Sequence, residues 1–239
     1  QTPDPTGAYY IYDFVHPTSD FQDYPHFGVW PDGYYMTTNQ FNQAGTAFLG
    51  AGVFAYDRVK MLQGDPTAGY VYFNQFTSIC PTCGGQLPTD LDGTVTLPAS
   101  MGNLIMEFRA DEWGDPADAL RIFEFKPNFA TPGSSTYTQV GTDLPLASFD
   151  ARSPNSRSVI EQPGISGGLD AIADRLMFRL AYRNLGTVAS PTNSWVLNFT
   201  VNVGGITPTT AATYQAGIRW AELRRAGAAG AICVNQQRT

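Results

Sequence analysis

Acidic side chains that come just before strand-like segments are the residues of this 239-residue sequence best placed to do chemistry. They recur in three places, as Asp23, as Asp90 and Asp92, and as Asp170 and Asp174. Carboxylate oxygens that converge from such positions could bind Ca²⁺, which takes roughly six to eight oxygen ligands. Two of them could instead serve as the acid and the base that cleave a glycosidic bond. Aspartates also stabilise turns by accepting backbone N–H bonds, and we favour this structural role.

The cysteines of Cys80-Pro-Thr-Cys83 are predicted to form a local disulfide, with free thiols as the less favoured alternative. A zinc site is not indicated, because no second CxxC and no nearby pair of histidines completes four ligands. Disulfides persist in oxidising compartments, so this pair favours a secreted protein. The third cysteine, Cys233, is expected to be a small buried side chain.

A series of arginines suggests a second kind of chemistry. Arg175, Arg179 and Arg183 recur at intervals of four along one predicted strand. Guanidinium groups exposed in a row could bind the sulfate or carboxylate groups of an acidic polymer. We expect these arginines, together with Arg219 and Arg224 on a neighbouring predicted strand, to pair instead with the acidic side chains Asp170, Asp174 and Glu222.

The charge and the hydropathy pattern argue against two classes of partner. The chain has 21 acidic and 14 basic residues, a formal net charge of −7. It therefore repels phosphate backbones, and no nucleic-acid binding is expected. No run of apolar residues approaches the roughly eighteen that a membrane-spanning helix needs, so no membrane span is expected either.

The elements that position these residues are predicted to be short strands. Gly and Pro, with 24 and 17 residues, interrupt the chain at short intervals. Helical periodicity is confined to Asp57–Gln63 and Leu169–Asp174. Alternating apolar and polar residues, as in Leu176–Arg183, indicate strands with one buried face. The chain is therefore predicted to be all-β.

Three clusters of strands follow a lone predicted strand at Ala8–Phe14. Each cluster is interpreted as one four-stranded antiparallel blade, so the fold is predicted to be a partial β-propeller that forms a single domain over residues 1–239. The blade-like units cover residues 22–75, 86–147 and 166–235. Propellers close with about four to eight blades, so three units need further blades to cover their open flanks.

Two long segments, Asp23–Tyr35 and Asp174–Asn184, resemble segments of large secreted bacterial β-propeller proteins of unassigned function. Shorter matches occur in the same order along the chain, at Asp4–Phe14, Ala55–Arg58, Leu87–Gly93 and Gly217–Arg224. The resemblance implies a propeller fold and an extracellular or cell-surface location. It also implies that the chain is part of a larger propeller, and it supplies no catalytic residues.

The function that these features favour is that of an extracellular structural or binding module within a larger propeller or assembly. Its expected partners are the remaining blades or other protein subunits, with polysaccharide as a further possibility. One alternative is a secreted carbohydrate-active hydrolase that uses paired carboxylates at the mouth of the propeller channel. Another is a subunit of a cell-surface filament or complex.

Overall fold

The computed structural model of the chain describes residues 4–16, 18, 20–77, 79–94, 97, 101–204 and 213–239, and within these ranges the fold is all-β. This confirms the predicted all-β class. The strands, in chain order, are β1 Phe21–Val29, β2 Gly33–Phe41, β3 Phe48–Asp57, β4 Tyr70–Asn74, β5 Leu87–Leu91, β6 Asn103–Arg109, β7 Ala119–Lys126, β8 Thr136–Gln139, β9 Leu144–Pro145, β10 Ser158–Ile160, β11 Leu169–Asp170, β12 Leu176–Asn184, β13 Thr192–Asn202, β14 Ala216–Ala226 and β15 Cys233–Arg238.

The first four strands form a sheet of their own, in the order β1-β2-β3-β4, with every neighbouring pair antiparallel. The turn at Pro31-Asp32-Gly33 closes the first hairpin, and the Trp30 amide donates to the Gly33 carbonyl across it. One short helix, α1 Arg58–Gln63, follows β3, and the Asp57 side chain caps its N-terminus. This sheet matches the predicted unit at residues 22–75.

The second sheet joins two segments that were predicted to be separate blades. Its order is β15-β14-β13-β12-β5-β6-β7-β8, with β9 paired to β7. The link is a parallel pairing of β5 with β12, in which Leu180 lies opposite Thr89. The units at residues 86–147 and 166–235 therefore share one nine-stranded sheet. Parts of both units, residues 95, 96, 98–100 and 205–212, lie outside the described residues.

The nine-stranded sheet curls into a half-barrel. One arm of the sheet consists of β5 to β9 and the other of β12 to β15, and the two arms face each other across the curl. Phe108 on β6 stacks on Phe199 of β13 at 5.1 Å between ring centroids, which places the main core inside the curl. The outer face of β6 and β7 packs against the four-stranded sheet, where Tyr35 meets Phe125 edge to face at 5.5 Å. The strands β6 and β7 thus lie between the four-stranded sheet and the inside of the curl, which explains why most of their side chains are buried on both faces.

The two sheets approach most closely where β1 crosses β5. A Cβ atom added at Gly28 would lie 2.5 Å from the Thr89 carbonyl oxygen, so only glycine fits there. Next to it, the Val29 amide donates to Oδ1 of Asp90 at 2.9 Å. One main-chain contact and one hydrogen bond thereby fix the position of the four-stranded sheet on β5.

Three local predictions are wrong. Residues 8–14 form no strand, although their aromatic side chains pack near α1 and the end of β3. Leu169–Asp174 is not a helical turn, because its first two residues pair with β10 and the rest form a turn. Cys233 is exposed because it lies on β15, the edge strand of the sheet.

In the described part of the chain, no helix has the length and apolar character needed to cross a bilayer.

We predict that Gly28→Ala lowers the free energy of unfolding by about 1–3 kcal/mol, because the new methyl group must push β1 away from β5. Urea unfolding measures this change. Gly133→Ala is the matched control, since Gly133 lies exposed in a 3₁₀ turn with no heavy atom within 4 Å of the added carbon. Equal stabilities of the two variants would contradict the close approach of the sheets.

Candidate functional site

The first pair of candidate aspartates holds an arginine. The Arg179 guanidinium donates to Oδ2 of Asp90 at 2.8 Å and also to Oδ2 of Asp92. The other oxygen of Asp90 accepts the Val29 amide, so both of its oxygens are engaged. These carboxylates neutralise a cation and position β1, and they stabilise the join between β5 and β12.

The second pair lies in another ion-pair group. Arg157 donates to Asp170 and to Asp174, each at 2.8 Å, and Arg175 donates to Asp174 at 2.8 and 3.0 Å. Burial alone would raise the pKa of Asp174, but the hydrogen bonds from the two arginines lower it to about 2. Asp174 is therefore ionised at neutral pH and cannot serve as a general acid there.

The five candidate aspartates do not converge on one channel mouth as expected. Asp23 is exposed on β1, opposite Asn39, while the other four are divided between the two arginine groups. Sequence spacing did not predict that Arg179 binds Asp90 and Asp92, because 89 and 87 residues separate it from them along the chain. The expected pairing of arginines with acidic side chains is confirmed for Arg175 with Asp174, whereas Arg179 pairs with Asp90 and Asp92 and not with the carboxylates expected for it.

A cleft lies where the two sheets and the disulfide loop meet. It encloses about 290 Å³ and is open at one side. Its walls come from the β2–β3 hairpin, the loop before β5, the end of β6 and the start of β12. The side chains that line it include Phe41, Phe48, Thr82, Glu107, Arg109, Trp113, Asp115, Asp174 and Arg175.

Glu107 lies at the base of this cleft and is almost completely buried. One carboxylate oxygen accepts from Arg109 at 3.1 Å, and the other accepts from the Gln86 side chain at 3.1 Å and from the Gly84 amide at 3.3 Å. Burial raises the pKa of Glu107 to about 7, although Arg109 acts in the opposite direction. This group therefore changes its charge near neutral pH. It was not singled out from the sequence, because it lies within the strand-like run Leu104–Arg109.

A disulfide forms one side of the cleft. Cys80 and Cys83 are bonded, and Sγ of Cys83 contacts Oε1 of Glu107 at 3.0 Å. Because both sulfurs are in the disulfide, neither offers a thiolate to a metal ion. The bond holds the loop whose Gly84 amide and Gln86 side chain bind Glu107.

One nucleophile motif occurs in the chain but lacks its structural context. Gly164-Ile165-Ser166-Gly167-Gly168 has the spacing of the α/β-hydrolase elbow, in which a serine lies between a strand and a helix. Here the serine lies in an exposed turn between β10 and β11, and a strand follows it. The motif therefore indicates no catalytic serine.

We predict that the buried Glu107 makes the protein less stable at alkaline pH. The pKa is about 7 in the folded protein against an ordinary value of 4.5, so the folded chain holds this proton more tightly. The resulting stabilisation is complete below pH 4.5 and is lost as the pH rises through 7, a change of about 3 kcal/mol. Thermal unfolding of Glu107→Gln between pH 5 and pH 8 should show a smaller fall in Tm than the unaltered chain.

The matched control for this measurement is Glu161→Gln, at an exposed glutamate. Its Tm should follow the pH in the same way as that of the unaltered chain. If Glu107→Gln also keeps the full fall in Tm, then Glu107 does not titrate near neutral pH.

No family model, curated protein or solved structure matches the chain.

Proposed function

We propose that this chain is a structural and binding module of a larger extracellular β-sheet assembly, and that it docks through the outer face of β12, β13 and β14. The observation that carries the proposal is the pair of aliphatic side chains that this face exposes. Ile218 on β14 is 64% exposed, and Val196 near the middle of β13 is 44% exposed. Exposed aliphatic side chains on a sheet face suit a contact with another protein surface.

The charges on this face are neutralised within the sheet. Glu222, opposite Val196, accepts hydrogen bonds from Arg224, Ser194, Asn235 and Gln236. Burial alone would raise the pKa of Glu222, but these bonds lower it to about 2. A partner that covers the face would therefore bury a satisfied ion pair and not an isolated charge, which keeps the cost of burial low.

The partner that fits the face is a further β-sheet of the same assembly. The edge strand β15 pairs with β14 alone among the described strands, so its free edge can accept another strand. A sheet stacked on the outer face would make the curled sheet one layer of a propeller-like arrangement. The resemblance of Asp23–Tyr35 and Asp174–Asn184 to secreted propeller proteins supports this proposal.

One observation supports a location outside the cell, and a second supports a binding role over the hydrolase alternative. The Cys80–Cys83 disulfide suits an oxidising compartment. Four of the five carboxylates proposed for hydrolysis are bound to arginine, and the low pKa of Asp174 removes it as a general acid. A module without catalysis accounts for both observations.

We predict that the isolated chain associates with itself through this face. Light scattering during size-exclusion chromatography should give a mass that rises above 26.0 kDa as the concentration increases. The variant Val196→Lys/Ile218→Lys should remain a monomer, because two cations on each copy would have to be buried. Val59→Lys, at a side chain 51% exposed on α1, is the control and should associate like the unaltered chain. A monomer of the unaltered chain at every concentration would contradict the proposal.

A further inference from the structure

The large cleft continues into a second hollow. The smaller hollow, of about 30 Å³, shares Trp113 and Asp174 with the cleft, and its other walls include Arg152, Ser153 and Arg157. The two hollows therefore form one groove with Trp113 at its middle. The groove lies at the ends of β2, β6 and β12 and does not involve the outer face proposed for docking.

Trp113 is held in place by local structure and yet stays accessible. It is the last residue of a 3₁₀ turn, Asp111–Trp113, and its amide donates to the Ala110 carbonyl at 3.1 Å. Gly114 ends the turn with a positive φ of 92°. The Arg152 guanidinium lies 5.1 Å from the centroid of the Trp113 ring, and 47% of the side chain remains exposed. An indole this exposed, and fixed between two hollows, offers a ready platform for a flat apolar surface.

The charges along the groove largely cancel. Arg109 bridges Glu107 and Asp115, while Arg157 and Arg175 share Asp174. A ligand with a strong net charge therefore gains little from the groove as a whole. The ion pairs still present oxygen and N–H groups that can bond hydroxyls.

One of these polar groups has no partner. Nε of Arg109 is buried, and in the described part of the chain no acceptor lies within hydrogen-bond distance of it. The other two nitrogens of this guanidinium are held by Glu107 and Asp115, so the side chain cannot turn away to satisfy Nε. Because buried donors are nearly always bonded, an oxygen acceptor is expected at this position.

We propose that this groove binds a neutral oligosaccharide, with one sugar ring against Trp113 and a neighbouring ring in the cleft. A sugar ring has an apolar face that stacks on an aromatic side chain, and a rim of hydroxyls that both donate and accept hydrogen bonds. The arginines and carboxylates that line the cleft, among them Arg175 and Asp115, offer N–H donors and oxygen acceptors to the hydroxyls. The cleft volume of about 290 Å³ lies at the lower end of the range for small-ligand sites, which suits one or two sugar rings.

The experiment is calorimetric titration of the full chain with neutral hexasaccharides of β-1,4-linked glucose, β-1,4-linked xylose, β-1,4-linked mannose and β-1,3-linked glucose. At least one of them should bind. Trp113→Ala should weaken that binding at least about tenfold, whereas Trp113→Phe should retain most of it. Tyr10→Ala, at an aromatic side chain 54% exposed beside Gly64 at the far end of the four-stranded sheet, should leave the affinity unchanged.

Further arms of the experiment separate the proposal from its rivals. Thr82→Trp fills the cleft from an exposed position, so it should abolish binding even if Trp113→Ala fails to fold. Raising the salt concentration should change the affinity of the neutral ligand less than about twofold. Binding of none of the four neutral hexasaccharides would overturn the proposal, as would binding of an oligogalacturonate alone. Unaltered binding by both Trp113→Ala and Thr82→Trp would also overturn it. None of these outcomes depends on self-association of the outer face.

Discussion

Strand β5 pairs with β6 at its start and with β12 at its end, and this change of partner joins the two arms of the nine-stranded sheet. Leu87 and Pro88 lie opposite β6, and Thr89 to Leu91 lie opposite β12 in a parallel register. At the point of exchange, the buried side chain of Asn103 accepts from the Thr89 amide at 3.1 Å and donates to its carbonyl at 2.8 Å. The side chain replaces main-chain bonds that β6 no longer supplies. Without it, two buried polar groups would have no partner, a cost of several kcal/mol.

The position of β12 beside β5 also creates the groove. Asp174 and Arg175 precede β12 and reach the loop that the disulfide constrains, where a Cβ atom added at Gly85 would lie 2.4 Å from Cβ of Arg175. The Gly84 amide of the same loop donates a hydrogen bond to the Glu107 carboxylate. The cleft walls from β6 and β12 therefore meet only because the two arms of the sheet are joined through β5. The proposed ligand site and the fold depend on one set of hydrogen bonds.

The sequence predicted local structure well and the joining of distant strands poorly. Alternating side chains in Leu176–Arg183 and the Asp32-Gly33 turn identify strands because these signals lie within a few residues. The parallel pairing of Thr89 with Leu180 has no such signal, since it links positions about ninety residues apart. The aromatic residues at 8–14 were mistaken for a strand because side-chain type alone does not show whether a segment has a partner. Glu107 was missed because a carboxylate within an apolar strand attracts notice only when its buried surroundings are known.

Amide hydrogen exchange followed by mass spectrometry tests most directly whether β5 joins the two arms. Peptides that cover Thr89–Leu91 and Leu180–Tyr182 should exchange together and as slowly as those from the centre of β2 and β3, because a single cooperative unit opens as a whole. If these two segments exchange early while β2–β3 and β13–β14 stay protected, the arms are independent units, and the joined sheet described for this chain is incorrect.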